Sequence, residues 1–251
     1  MSTRQRYVIR SFVELLTMAS AALLAACGGG GGGGSASGVS MVSLSGTAAT
    51  GKALANATIS INCVRGSTSV AADANGNYRA TFAATMPCLI LASAAGTSLH
   101  STAFAGGTYN VTPETDLLLS YLAAQLGTRQ SGLIAGFAVN TRFQQSLGNQ
   151  TAVLTAQAAV VQHLQQTYGV ALTTPNFLTT SFMVGTSGED SDLQALFAHG
   201  AIDANGEPDA NAVAIITTAG TANPIAVPPA ASTGGTGVGG SGGLGGLGGM
   251  M

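Results

Sequence analysis

The residues Thr108-Tyr-Asn-Val-Thr-Pro-Glu-Thr-Asp-Leu-Leu-Leu-Ser-Tyr-Leu-Ala-Ala-Gln-Leu-Gly127 mark the point where one hydrophobic period gives way to another. Up to Val111 the chain alternates as a strand does. From Thr112 it reads as a helix: Thr112 suits the N-cap, Pro113 the first helical position, and Glu114 and Asp116 the positive end of the dipole. Leu117, Leu118, Tyr121, Leu122 and Leu126 supply an apolar face, and Gly127 can close the helix.

Upstream, from Met41 to Val111, β-branched residues with a period of two are separated by turn signals. In Thr58-Ile-Ser-Ile-Asn-Cys-Val64, Ile59, Ile61 and Cys63 share one face, opposite Ser60, Asn62 and Val64. Further strands are predicted at 68–72, 78–82, 88–93, 99–104 and 108–111, with Asp73-Ala-Asn-Gly-Asn77 as a tight turn between the first two. Downstream, helices are predicted at 139–147, 151–168 and 190–197. The second of these carries a stripe of Val153, Leu154, Ala158, Val161, Leu164 and Tyr168 and stops at Gly169. Residues 201–218 read as a hairpin turn at Asp203-Ala-Asn-Gly206 followed by a returning strand, in preference to a helix, at Val213-Ala-Ile-Ile-Thr-Thr218. The fold class is therefore α+β: a small antiparallel β-sandwich over 41–111, a mainly helical region over 112–220, and a disordered Pro/Gly-rich tail over 221–251.

Composition narrows the function classes. Only 7% of the 251 residues are charged, with 8 Lys and Arg against 10 Asp and Glu, so no basic face is available for nucleic acid. The start of the chain has the anatomy of a secretory signal: Arg4, Arg6 and Arg10, then an apolar stretch interrupted only by Glu14, then small residues. That stretch is shorter than the roughly 20 residues a bilayer span requires.

Leu24-Ala25-Ala26-Cys27 resembles the lipobox of bacterial lipoproteins at every position. The resemblance implies cleavage between Ala26 and Cys27, residues 1–26 as signal peptide, and acylation of Cys27, which becomes the link to a lipid bilayer. An ordinary secretory signal that contains a Cys, or a buried N-terminal helix, is the alternative. Each buried CH2 of the acyl chains contributes about 0.8 kcal/mol to anchoring. The unbroken glycine run 28–34, extended to residue 40, has the composition of a flexible tether. Gly28 takes the place where Asp favours retention at the inner membrane of Gram-negative bacteria, so the resemblance points to the outer membrane. Loss of residues 1–26 leaves 5 basic and 9 acidic side chains, a formal charge of −4.

A second resemblance lies in Gly46-Thr-Ala-Ala, in Gly51-Lys-Ala-Leu-Ala-Asn-Ala-Thr-Ile-Ser-Ile61 and in Ala72-Asp-Ala-Asn-Gly-Asn-Tyr78. These look like the opening and the hairpin of transthyretin-like, carboxypeptidase-regulatory-like domains, with Ala72 where that family has Thr. The resemblance implies a structural or adhesive module with no catalytic site. Ala57 and Ile59 are expected inside, with Tyr78 burying its ring while its hydroxyl reaches solvent.

Cys63 and Cys88 lie in neighbouring predicted strands, and in an oxidising compartment a disulfide is their simplest arrangement. Two buried free thiols are the alternative. A metal pair lacks any further His or Cys at ligand spacing.

The sequence offers no catalytic residue, metal ligand set or cofactor motif. His100, His163 and His199 lie far apart, no G-x-S-x-G elbow or phosphate-binding loop occurs, and the glycine run lacks a Lys. Asp73/Asn75/Asn77 and Asp203/Asn205/Glu207/Asp209 place oxygens at alternate positions, but Gly76 and Gly206 come too early for an EF-hand loop and turn chemistry explains them better. The expectation is a non-catalytic envelope lipoprotein whose protein or glycan partner is open. One alternative is a hydrolase or carbohydrate-active protein, with a site between sandwich and helices that joins His100 to Asp116 or Asp192. Another is an assembly component that docks through residues 221–251.

Overall fold

A computed structural model describes residues 39–225; the signal peptide, the lipobox with Cys27, the tether up to residue 38 and the chain after 225 lie outside the described residues. Six strands, β1 (Ser40–Thr47), β2 (Thr58–Arg65), β3 (Ser67–Ala71), β4 (Asn77–Ala94), β5 (Thr97–Ala103) and β6 (Gly107–Thr108), precede six helices. These are α1 (Pro113–Gln125), α2 (Gln130–Gly136), α3 (Thr141–Gly148), α4 (Gln150–Tyr168), α5 (Glu189–Ala198) and α6 (Ala210–Ala222). The α+β class holds, with the strands before the helices.

The sheet differs in two ways from the expected antiparallel sandwich. The segments 78–82 and 88–93, expected as two strands, are parts of the single 18-residue β4. Its first half pairs antiparallel with β1, from Asn77↔Thr47 to Ala84↔Ser40. Its second half pairs with β2 on one side and β5 on the other, Cys88 lying opposite Cys63 and Ala103. Pro87 falls at the changeover, where the β2 register shifts, so its missing N–H breaks no ladder bond. The sheet is also mixed rather than purely antiparallel, because β6 runs parallel to β1. The order is β3-β2-β4-β1-β6, with β5 on β4.

The alternation in β2 fixes its faces as expected. Ile59, Ile61 and Cys63 are buried, while Ser60, Asn62 and Val64 are half-buried or exposed. Cys63 and Cys88 are joined by a disulfide. Tyr78 departs from expectation: its hydroxyl is buried and donates to the Tyr109 carbonyl at 2.6 Å, and burial pushes its pKa up. Gly46 explains how these two residues meet, since a Cβ there would overlap the Tyr109 carbonyl.

α1 is buried on every side from Pro113 to Ala124, which makes it the centre of the molecule rather than a surface helix. It packs against β5, α4 and α6. The buried stripe of α4 is Val153, Ala156, Gln157, Val160 and Leu164, rotated from the expected one; Ala158 is exposed. Gln157 is inside because it accepts from the Leu178 amide and donates to Asn176. The largest correction concerns 210–222, which form α6 and not a strand. Ala212, Ile216 and Gly220 recur every fourth residue and are buried, and Gly220 lies so close to the Tyr121 carbonyl and Ala124 that no Cβ fits. The fold thus continues past 220 to Ala222, and the Ile225 amide donates to the Gln125 carbonyl.

Candidate functional site

The junction between sheet and helices collects most of the buried polar chemistry, and Asn110-Val-Thr-Pro-Glu-Thr-Asp116 builds it. Asn110 is fully buried; its Oδ1 accepts from the Thr47 amide, and its Nδ2 donates to the carbonyls of Phe177 and Thr180. Thr112 and Thr115 form a reciprocal capping box, and the Thr115 hydroxyl also reaches the His100 carbonyl at 2.9 Å. Seven consecutive residues therefore fasten β1, β5 and the 173–182 segment to the start of α1.

His100 and Asp116, set sixteen residues apart in the sequence, meet here. The His100 Nδ1 lies 2.8 Å from Asp116 Oδ1, and the same oxygen accepts the His100 backbone N–H at 2.8 Å. Among the described residues it is the one close contact between a basic and an acidic side chain. His100 also lines a cleft of about 420 Å³ with Asn62, Ser67, Leu91, Ile134 and Phe137. The carboxylate fixes the ring tautomer and leaves Nε2 as the free nitrogen. Among the described residues no hydroxyl is bonded to that nitrogen, so the pair lacks the nucleophile contact of a hydrolytic triad.

Asp192 is not brought to His100. Its carboxylate accepts from the Thr173 amide and hydroxyl and from the Thr174 amide, at 2.8–3.0 Å. It belongs to an acidic group the sequence reading did not assemble. Glu114 near the start of α1 and Glu189, Asp190 and Asp192 in the first turn of α5 are all buried. Asp190 holds the Gly185 amide and the Gln194 side chain through Oδ2. Both carboxyl oxygens of Glu114 and of Glu189, and Oδ1 of Asp190, are shielded from water with no hydrogen-bond partner. Burial pushes Glu114 up to about 8, and the charge on Asp192 adds to the shift. Glu189 goes up as well, from burial first and then from the charges on Glu114 and Asp192.

The helix dipole works the other way. It is worth at most about 2 kcal/mol to an anion at a helix start, whereas removing a carboxylate from water costs several kcal/mol. Burial wins. A signal was present in the sequence: acids at the first turns of two helices, in a chain almost without charge. Only the fold shows that the acids of both turns are buried.

The two Asp-Ala-Asn-Gly turns are built alike. In each, Asp Oδ1 accepts two backbone amides, from Asn75 and Asn77 at 2.8 Å and from Asn205 and Glu207 at 2.9 Å. The bond from the Asn77 amide is the main reason the Asp73 carboxyl is held below its ordinary pKa. These carboxylates are already occupied by their own turns, and among the described residues no cluster of three metal-ligating side chains occurs. Both turns bear on one loop: a Cβ on Gly76 would overlap the Ala48 carbonyl, and one on Gly206 would crowd Thr50 at 2.6 Å.

No family model matches the chain, and neither a curated protein nor a solved structure does.

Proposed function

We propose that the chain is an exported lipoprotein, held at the outer membrane by acyl groups on Cys27, whose folded body is a non-catalytic binding or structural module. The observation that carries this is Leu24-Ala25-Ala26-Cys27 at the end of a charged-then-apolar leader, followed by the glycine run. The disulfide between Cys63 and Cys88 supports an oxidising compartment. The spacing of Gly46, Gly51, Asn75-Gly76 and Tyr78 supports the likeness of the β-region to transthyretin-like modules, and Gly76 does turn the chain there, with a φ of 82°. The test is Cys27→Ser in the expressing bacterium. Incorporation of labelled palmitate and membrane sedimentation are expected for the natural chain and absent for the variant. A variant that is processed normally and still sediments with membranes rules the reading out.

His100 beside Asp116, on the wall of a cleft, favours a second reading as an envelope hydrolase. In it the His100 Nε2 would activate water, with Asp116 orienting the ring. Turnover of ester or glycan substrates that His100→Gln abolishes without loss of folding would establish it. Turnover that persists in His100→Gln would exclude His100.

A further inference from the structure

We infer that the cleft beside His100 is a binding site for a small uncharged ligand, an apolar ring or chain bearing one hydroxyl group that donates to His100 Nε2. The inference deepens the reading of the folded body as a non-catalytic binding module and rests on it. The register of the sheet builds the floor. Leu91 is the cross-strand partner of His100, and Leu89 that of Asn62. Residues directly opposite in an antiparallel pair share a face, as do Leu89 and Leu91, two apart on β4. These four side chains therefore project from one side of β2, β4 and β5. The other side carries Ile61, Ile90 and Leu99, all fully buried. Ile134 of α2 and Phe137 at its end line the cleft from the helical layer.

His100 is held by three bonds. Its backbone N–H and its Nδ1 both meet Asp116 Oδ1 at 2.8 Å, and its carbonyl accepts from the Thr115 hydroxyl at 2.9 Å. With Nδ1 spent on the carboxylate, Nε2 is left as an acceptor. Among the described residues nothing bonds that nitrogen, and it is not one of the side-chain atoms sealed from water, so it stands open. The ring is thus fixed before a ligand arrives, which spares the complex part of its ordering cost. The occupant follows from the lining. Among the described residues no Lys, Arg, Asp or Glu lines the cleft, so an ionic ligand finds no counter-charge there. An anion would also face the Asp116 carboxylate across the ring. Leu89, Leu91, Ile134 and Phe137 offer apolar surface, and the polar group held in place is an acceptor, which selects a donor. The cleft's volume of about 420 Å³ falls within the range of roughly 300–1,000 Å³ usual for small-ligand sites.

The test titrates the full mature chain with para-butylphenol, with butylbenzene, which lacks the hydroxyl, and with para-butylbenzoate, which is charged. Nitrogen NMR of isotope-labelled histidine reads the natural chain directly. Para-butylphenol is expected to shift His100 Nε2 saturably while the rings of His163 and His199 stay unmoved. It is expected to bind at least about fivefold more tightly than either comparison compound. Ile134→Trp narrows the cleft and leaves the bonds between His100 and Asp116 in place, and it is expected to weaken para-butylphenol by a similar factor. Equal affinity for the three compounds, no movement at Nε2, or undiminished binding by Ile134→Trp overturns this inference alone. Cleavage of para-butylphenyl acetate by the natural chain, abolished in His100→Gln, overturns the binding-module reading beneath it as well.

Discussion

The sheet and the helical layer share one core yet satisfy their interiors by different chemistry. In the sheet, the buried side chains are apolar or hydroxylic, the ladders consume the backbone groups, and a covalent bond ties β2 to β4. Its only acid, Asp73, lies in an exposed turn. In the helical layer, carboxylates do the fastening: Asp116, Asp190 and Asp192 bond amides and side chains, while Glu114 and Glu189 are buried without partners. The sheet is thus held by ladders, apolar packing and a covalent bond, and the helical layer by hydrogen bonds to carboxylates.

The sharpest way to break this contrast is reduction. Replacing Cys63 and Cys88 by Ala is expected to cost about 3 kcal/mol in denaturant unfolding, with the same loss at pH 5.5 and pH 8. A loss that varies with pH would mean that the two layers are not chemically separate. Next comes Asn110→Ala, which strips the partners from the Phe177 and Thr180 carbonyls and the Thr47 amide. It is expected to cost about 2 kcal/mol and to expose 173–188 to limited proteolysis before the sheet unfolds.

The pH dependence follows in size. Glu114 and Glu189 have folded pKa values above their unfolded ones. Their contribution is therefore fully present below the ordinary carboxylate pKa and is lost as pH rises through the folded value, about 8 for Glu114. Thermal stability is expected to be greater at pH 5.5 than at pH 8, by on the order of 2 kcal/mol, with Glu114→Gln removing much of the difference. Greater stability at pH 8 would contradict the assignment. Smallest is the helix cap. Thr112→Ala is expected to cost about 1 kcal/mol and Thr112→Ser only a few tenths, measured by thermal melting.

What the sequence disclosed depended on whether local chemistry agreed with the fold. The alternation at 58–64 placed Ile59, Ile61 and Cys63 inside and Ser60, Asn62 and Val64 on the other face because one face of β2 is buried and the other is not. Thr112 and Pro113 gave the start of α1 because capping is a local interaction. Pro87 concealed the continuity of β4, since a proline inside a strand is tolerated only where no partner needs its N–H, and that depends on β2. Val213, Ile215 and Thr217 concealed α6. Their β-branched character argued for a strand, while the decisive feature, Gly220 set into the side of α1, is a tertiary contact. α2 was missed because Gln130-Ser-Gly-Leu-Ile-Ala-Gly136 has two glycines, no side-chain cap and only Leu133 buried. Of the candidate site, the His100–Asp116 pairing was legible as a possibility, whereas the burial of Glu114 and Glu189, in the first turns of α1 and α5, was not. No residue spacing relates the first turns of two helices seventy-odd positions apart.

The arrangement of β1 has a mechanical consequence. A force applied to the chain ahead of β1 would enter at Ser40, which is one end of an eight-pair antiparallel ladder with β4. A pull along the strand loads all eight pairs together, whereas a pull across it opens them one at a time from Ala84 towards Asn77. The strand would therefore resist traction along its axis and give way to sideways drag, so the angle of a pull on its N-terminal end decides how the sheet comes apart.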